Sequence, residues 1–185
     1  MLRLFVALCL IGSAGLGYTK QALPLYQVDM IIFSYPQSSQ GLTEEPSFLI
    51  EPDSSQAIHL PDEISHTPIP YHLLPASASK LLNEYRTLSH NPQYQTLAHY
   101  SWLQPTHNQR PVSLPLTHQN GWKVEGTVKI RQDRYYWVDT QLLFSKLQDT
   151  SLSFLFSQRK RLKEGVMYYL DHPQAGILIE IHKIA

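Results

Sequence analysis

From Gly121 onward, apolar and polar positions alternate with the period of two expected of a half-buried β-strand. Val124, Gly126, Val128 and Ile130 share one face, with Glu125, Thr127 and Lys129 opposite. Tyr136, Val138, Thr140, Leu142 and Phe144 form the next core face. Leu152, Phe154 and Phe156 form the third, and Ile177, Ile179 and Ile181 the last. Only short polar breaks separate these segments, so the pattern predicts a consecutive antiparallel meander rather than βαβ units. Near the other end of the chain, Tyr26 to Phe33 reads as a further strand. Tyr26, Val28, Met30 and Ile32 share a face, and Ile31 and Phe33 on the other predict burial on both sides toward its end.

Between these regions the period changes. Residues 34–75 hold seven of the 13 prolines (Pro36, Pro46, Pro52, Pro61, Pro68, Pro70 and Pro75) among Ser, Gln and Glu, and no period survives. That composition predicts a long Pro/Ser-rich loop, disordered, with one short extended piece around Phe48-Leu49-Ile50. Leu81, Tyr85 and Leu88 then recur at helical spacing, with Leu82 widening the stripe and Ser77 or Ser79 available as a cap. Asn91-Pro92 reads as the start of a second helix, with Tyr94, Leu97, Ala98 and Trp102 on its apolar side and Gln104-Pro105 at its end. Val112-Ser113-Leu114 is a candidate extra strand. The expected fold class is therefore α+β, an antiparallel sheet of about five to six strands with a helical hairpin packed on one face. A sheet curved around a helix and a ferredoxin-like sandwich both satisfy the pattern.

Composition narrows the class. With 43% hydrophobic and 16% charged residues in a chain of 185, the sequence can bury a core in one domain. Met1-Leu2-Arg3, the apolar run Leu4 to Ile11 and the small-residue stretch from Gly12 to Gly17 have the three-part form of a secretory signal over residues 1–17. The apolar run is too short to span a bilayer. The only cysteine, Cys9, lies within it and follows Leu8, where lipidation requires a small residue. The mature chain, 18–185, would then have no membrane span and no cysteine. That excludes disulfides, a thiol nucleophile and zinc–thiolate sites, and it fits a periplasmic location, with an extracellular one as the alternative.

The formal net charge is zero, which gives no reason to expect bulk nucleic-acid binding. The zero conceals an asymmetry. Residues 18–109 carry three basic against eight acidic side chains, and residues 110–185 eleven basic against seven acidic. The strand-rich half is the basic one.

Candidate chemistry is sparse. The nine histidines form no H-x-x-x-H pair and have no acidic partner at metal-site spacing, so no metal or cofactor is expected. There is no G-x-S-x-G elbow and no glycine-rich phosphate loop. Ser77 with Lys80 and Ser157 with Lys160 have S-x-x-K spacing but lack the companion motifs. Asp139, Asp171 and Glu180 are carboxylates that nothing in the sequence pairs across a cleft. Asp171-His172-Pro173 reads as a turn closed through the Asp side chain rather than as a catalytic group. No catalytic residue is assigned. The candidate ligand-binding residues are Arg159, Arg161 and Lys163, which share the solvent face of one strand, and the pair Tyr135 and Trp137. An arginine there can clamp a carboxylate bidentately. If exposed, Tyr135 and Trp137 can stack on a sugar ring or a partner, although the average burial of Trp argues for a core position.

Five segments carry a family resemblance. They are Tyr26-Gln27-Val28-Asp29-Met30-Ile31-Ile32-Phe33, Tyr94 with Leu97-Ala98-His99 and Trp102-Leu103-Gln104-Pro105, Glu125-Gly126-Thr127-Val128-Lys129-Ile130, Arg134-Tyr135-Tyr136 with Val138-Asp139, and Leu170-Asp171-His172-Pro173 with Gly176-Ile177-Leu178-Ile179. In this order the chain resembles the CsiV family of bacterial periplasmic peptidoglycan-binding proteins, over most of its length apart from 34–75. The resemblance implies a non-enzymatic protein that binds peptidoglycan and supports wall assembly and cell shape, with a wall synthase or its regulator as a further partner. It supplies no binding residues. The stem peptides of peptidoglycan carry carboxylates of the kind Arg159 and Arg161 would clamp. The competing reading is a periplasmic protein–protein adaptor of the envelope that uses the Pro-rich loop and does not touch the wall.

Overall fold

In the computed structural model, residues 24–36, 52–148 and 153–184 are described. The expected signal segment and the piece at Phe48-Leu49-Ile50 lie outside them. The strands in chain order are β1 (Leu25–Ser34), β2 (Ile58–His59), β3 (Gln95–Pro105), β4 (Val112–Ser113), β5 (Thr117–Gln119), β6 (Trp122–Gln132), β7 (Tyr136–Lys146), β8 (Phe154–Leu162), β9 (Tyr168–His172) and β10 (Ala175–Ile184). A single 3-10 turn (Ala76–Ala78) and one helix, α1 (Leu82–His90), lie between β2 and β3.

The strands form two sheets. The first has the order β3-β1-β10-β9, and the second has β2-β4-β6-β7-β8 with β5 also paired to β6. Pairing is antiparallel except between β2 and β4. The inner faces pack together, with Tyr26, Met30, Trp102, Ile177 and Ile179 from the first sheet against Val128, Val138, Phe144, Phe156 and Leu162 from the second. Tyr26 meets Tyr136 edge to face across the gap, at 5.3 Å between ring centroids.

This is a mostly-β sandwich, and it corrects the expected α+β fold with a helical hairpin. The first helix forms, its Leu81, Tyr85 and Leu88 stripe resting on Ile31 and Phe33. The Ser79 hydroxyl accepts the Leu81 N–H at its start (3.1 Å). The second helix is strand β3. Asn91, read as an N-cap, closes α1 instead: its N–H bonds to the Leu88 carbonyl, and its side-chain oxygen accepts the Gln93 N–H at 3.0 Å.

The helical spacing of Leu97, Ala98 and Trp102 has a specific origin. Ile32 pairs with Ala98 but Phe33 pairs with Thr96, so Leu97 is the extra residue of a β-bulge. Leu97 and Ala98 both pack into the core beside Tyr100 and Trp102. The outward row of β3 is also covered, Ser101 and Leu103 being buried. A strand with a phase slip and two covered faces shows no alternation.

The meander is divided as well. β6, β7 and β8 follow one another in the second sheet, but the last segment is the β9–β10 hairpin of the first. There β10 pairs with β1 over its whole length, from Leu25↔Ile184 to Ser34↔Ala175. Within the Pro-rich stretch, residues 52–75 are tied to the sandwich rather than loose. The Ile58 and Leu60 N–H groups bond to Pro111 and Ser113, and Leu60 and Leu73 join the core.

The covered outer face of the first sheet holds a buried polar cluster. Asp29, fully buried, accepts hydrogen bonds from Gln27 Nε2 (2.9 Å), Ser101 Oγ (2.6 Å) and the Lys80 N–H (3.3 Å). His182 Nε2 lies 3.9 Å from it and 3.1 Å from Glu180. His99 stacks on Tyr85 at 4.5 Å, with its Nε2 2.9 Å from Ser79 Oγ. Burial holds the His99 pKa below the ordinary histidine value, partly offset by the charge of Asp29. The unfolded chain therefore takes up a proton that the native imidazole refuses, and stability should fall as pH drops below about 6.5. Urea midpoints at about pH 7.5 and 5.5 check this: the difference should shrink in His99→Gln, and an unchanged difference would place the titration elsewhere.

Candidate functional site

Alternation along β6, β7 and β8 sends one row of each strand into the core and the other outward. Tyr136, Val138, Thr140, Leu142 and Phe144 are buried, so Trp137, Asp139 and Gln141 point away. Register then sets the neighbours. Trp137 lies between Arg131 of β6 and Arg161 of β8, and Asp139 between Lys129 and Arg159.

Tyr135 and Trp137 are 36% and 38% exposed, so the core position suggested by the average burial of Trp does not hold. Among the described residues no helix covers the second sheet here, because α1 packs on the first. Each arginine leans along the diagonal onto a ring, Arg159 over Trp137 (5.3 Å to the centroid) and Arg161 over Tyr135 (4.5 Å). The result is an interleaved ladder of two rings and two guanidinium groups. Four of the five candidate residues are thus brought together. Lys163 lies just past the end of β8, its side chain exposed and its N–H donated to the Tyr168 hydroxyl (3.1 Å).

Lys129 and Arg131 extend the basic face, and only strand register shows that they belong to it. Among the described residues, none of Lys129, Arg131, Arg159, Arg161 and Lys163 forms an ion pair; the Lys/Arg pairs are Lys123–Glu125 and Lys183–Glu164. A guanidinium stacked on a ring keeps its N–H edge available, and stacking limits the rotamers it must give up on binding. Lys160, in the same basic run, faces the other way and bridges the sheets, its Nζ donating to the Tyr169 carbonyl (3.0 Å). Toward the other end of this face, a groove of about 560 Å³ is lined by Leu116, Lys123, Glu125 and Leu143.

A match to a family model described as peptidoglycan-binding protein, CsiV, runs over residues 3–184. The chain belongs to the CsiV family. No curated protein and no solved structure matches it. The resemblance carried by the five segments is thereby supported over nearly the whole chain, and peptidoglycan binding is the property by which the family is described.

The remaining sequence candidates are dispersed. Asp139 lies on the outer face of the second sheet, whereas Asp171 and Glu180 lie on that of the first. Asp171 pairs with Gly176, four positions along β10 from Glu180, a separation of about 13 Å at strand rise. At the hairpin turn the Asp171 side chain takes a backbone hydrogen bond from His172, but its main partners are two tyrosines. Its carboxylate is held by Tyr169 (2.5 Å) and Tyr35 (2.9 Å), while His172 Nδ1 accepts the Gln174 N–H at the turn. Ser157 and Lys160, three apart on a strand, point to opposite faces. Among the described residues, no three His, Cys, Asp or Glu side chains converge as a metal site.

Proposed function

We propose that this protein is a non-enzymatic periplasmic peptidoglycan-binding protein and that the outer face of β6–β8 is its wall-binding surface. Arg159 and Arg161 take the carboxylates of the stem peptides, Trp137 and Tyr135 hold the guanidinium groups in place and offer ring faces, and Lys129, Arg131 and Lys163 add attraction. Export through residues 1–17 would place the chain beside its ligand. A role in wall assembly and cell shape, with a wall synthase or its regulator as partner, follows from the same reading. The observation that carries the proposal is the ladder itself: two guanidinium groups stacked on exposed rings and held in no ion pair among the described residues, although Asp139 stands opposite Arg159 in the register.

Co-sedimentation of the purified mature chain with sacculi tests it. Retention should weaken as salt rises, since exposed charges are screened beyond about 10 Å at 0.1 M. The double variant Arg159→Ala/Arg161→Ala should lose about tenfold or more in retention, the equivalent of roughly 1.5 kcal/mol for charge-assisted contacts. Unchanged pelleting of a folded double variant would remove this face from consideration. No retention of the unmodified chain would favour the adaptor reading, with a protein as target.

A further inference from the structure

The first sheet carries a second aromatic surface, away from the arginine ladder. Phe33, Tyr35, Tyr94 and Tyr169 form one cluster, with Phe33 edge to face against Tyr35 (5.9 Å) and Tyr94 (5.4 Å) and nearly parallel to Tyr169 (6.2 Å, 11°). Phe33 is buried and acts as the hub, whereas Tyr169 is 42% exposed.

Gly176 makes the arrangement possible. A Cβ there would lie 2.4 Å from the Phe33 ring and 2.8 Å from that of Tyr169. Both rings therefore rest on bare backbone. Asp171 Oδ1 lies 2.5 Å from the Tyr169 hydroxyl and 2.9 Å from the Tyr35 hydroxyl, and the two hydroxyls also touch, so two phenolic protons serve three close contacts. These bonds keep the Asp171 pKa below the usual carboxylate value, so its charge is present at neutral pH. The helix covers the neighbouring part of this face through Ile31 and Leu81, but Tyr169 and Asp171 on the edge strand β9 remain open to solvent.

We infer that the surface formed by Tyr169, Tyr35, Tyr94 and Asp171 binds the N-acetylated hexosamine glycan backbone of the wall. This rests on the wall-binding reading and gives it a second, separate site. A pyranose has an apolar C–H face, which stacks on an aromatic ring held in one orientation. Its hydroxyl and amide N–H groups are donors, and an exposed carboxylate offers about four acceptor positions, of which the tyrosines use two. The negative charge of Asp171 repels the carboxylates of stem peptides. The two sites therefore divide the polymer between them, with acidic peptides on the arginine ladder and uncharged glycan on the tyrosine cluster.

The test uses an uncharged oligosaccharide, a β-1,4-linked tetramer of N-acetylglucosamine, titrated into the mature chain and followed by protein NMR. The expected result is saturable binding with shifts confined to residues 33–35, 94 and 169–176, insensitive to salt. Tyr169→Ala should weaken it by about tenfold, as loss of a stacking ring implies, and Tyr169→Phe should keep most of it. Asp171→Ala, at an exposed position, should weaken it as well, and Arg159→Ala/Arg161→Ala should leave it unchanged. Absence of binding, shifts at Trp137 and Arg159 instead, or wild-type affinity in folded Tyr169→Ala would each overturn the inference. A chain that pellets with sacculi but ignores the tetramer would overturn this site alone. One that does neither would overturn the wall-binding reading with it.

Discussion

Gly126→Ala should be the most destabilising single substitution proposed for this fold, at a cost of roughly 4 kcal/mol. Gly126 lies in β6 at φ +143°, in a region that side-chain-bearing residues scarcely enter. A Cβ there would sit 2.1 Å from the Gln141 carbonyl oxygen and 2.9 Å from the Leu142 Cα. Both are backbone atoms of the neighbouring strand, so no rotamer change relieves the contact. Only displacement of β7 from β6 would, and that pairing runs from Trp122↔Lys146 to Gln132↔Tyr136. Backbone strain of about 1–3 kcal/mol together with the overlap should cost roughly 4 kcal/mol, a large part of the roughly 5–15 kcal/mol typical of a domain. Gly121 is the control. It has φ +77° and open space within 4 Å of where a Cβ would stand, so Gly121→Ala should cost only about 1 kcal/mol. Urea midpoints of the two variants measure the difference. Equal midpoints would mean that β6 and β7 can part locally at little cost.

Asp29→Ala should be the next most damaging change. The carboxylate is fully buried and collects hydrogen bonds from Gln27, Ser101 and the Lys80 N–H. Truncation leaves these donors in a space closed to bulk solvent, at a cost of about 3 kcal/mol. The Lys80 N–H precedes α1, so the helix should loosen first. Asp29→Asn keeps an acceptor and should cost less. Urea denaturation, followed by amide exchange in residues 82–90, checks both points. Exchange of α1 that does not change in Asp29→Ala would show that the helix is held by Leu81, Tyr85 and Leu88 alone.

Strand positions toward the C-terminus were legible because β6 and β7 each have one buried and one open row, and alternation is what one-sided burial writes into a chain. The first helix was legible from Leu81, Tyr85 and Leu88 for the same reason, one stripe facing one surface. β3 was not, because a bulge at Leu97 and burial of both faces erase the period. The candidate site was half legible. Alternation placed Arg159 and Arg161 outward, but the rings they would stack on, and the addition of Lys129 and Arg131, depend on which strands are neighbours. That Tyr35, Tyr94 and Tyr169 meet was not legible, because they lie far apart in the chain and come together only where β1 and β9 flank β10.

Local pattern thus determined which residues form strands toward the C-terminus, where the first helix lies, and, through five ordered segments, the family. Tertiary structure alone decided that the meander divides between two sheets, that the N-terminal strand pairs with the last, that β3 is a strand, and that Trp137 faces solvent. The physical reason is common to these. Periodicity reports how many faces of an element are buried, whereas pairing and exposure depend on contacts between residues distant in sequence, of which one element's own residues carry no record.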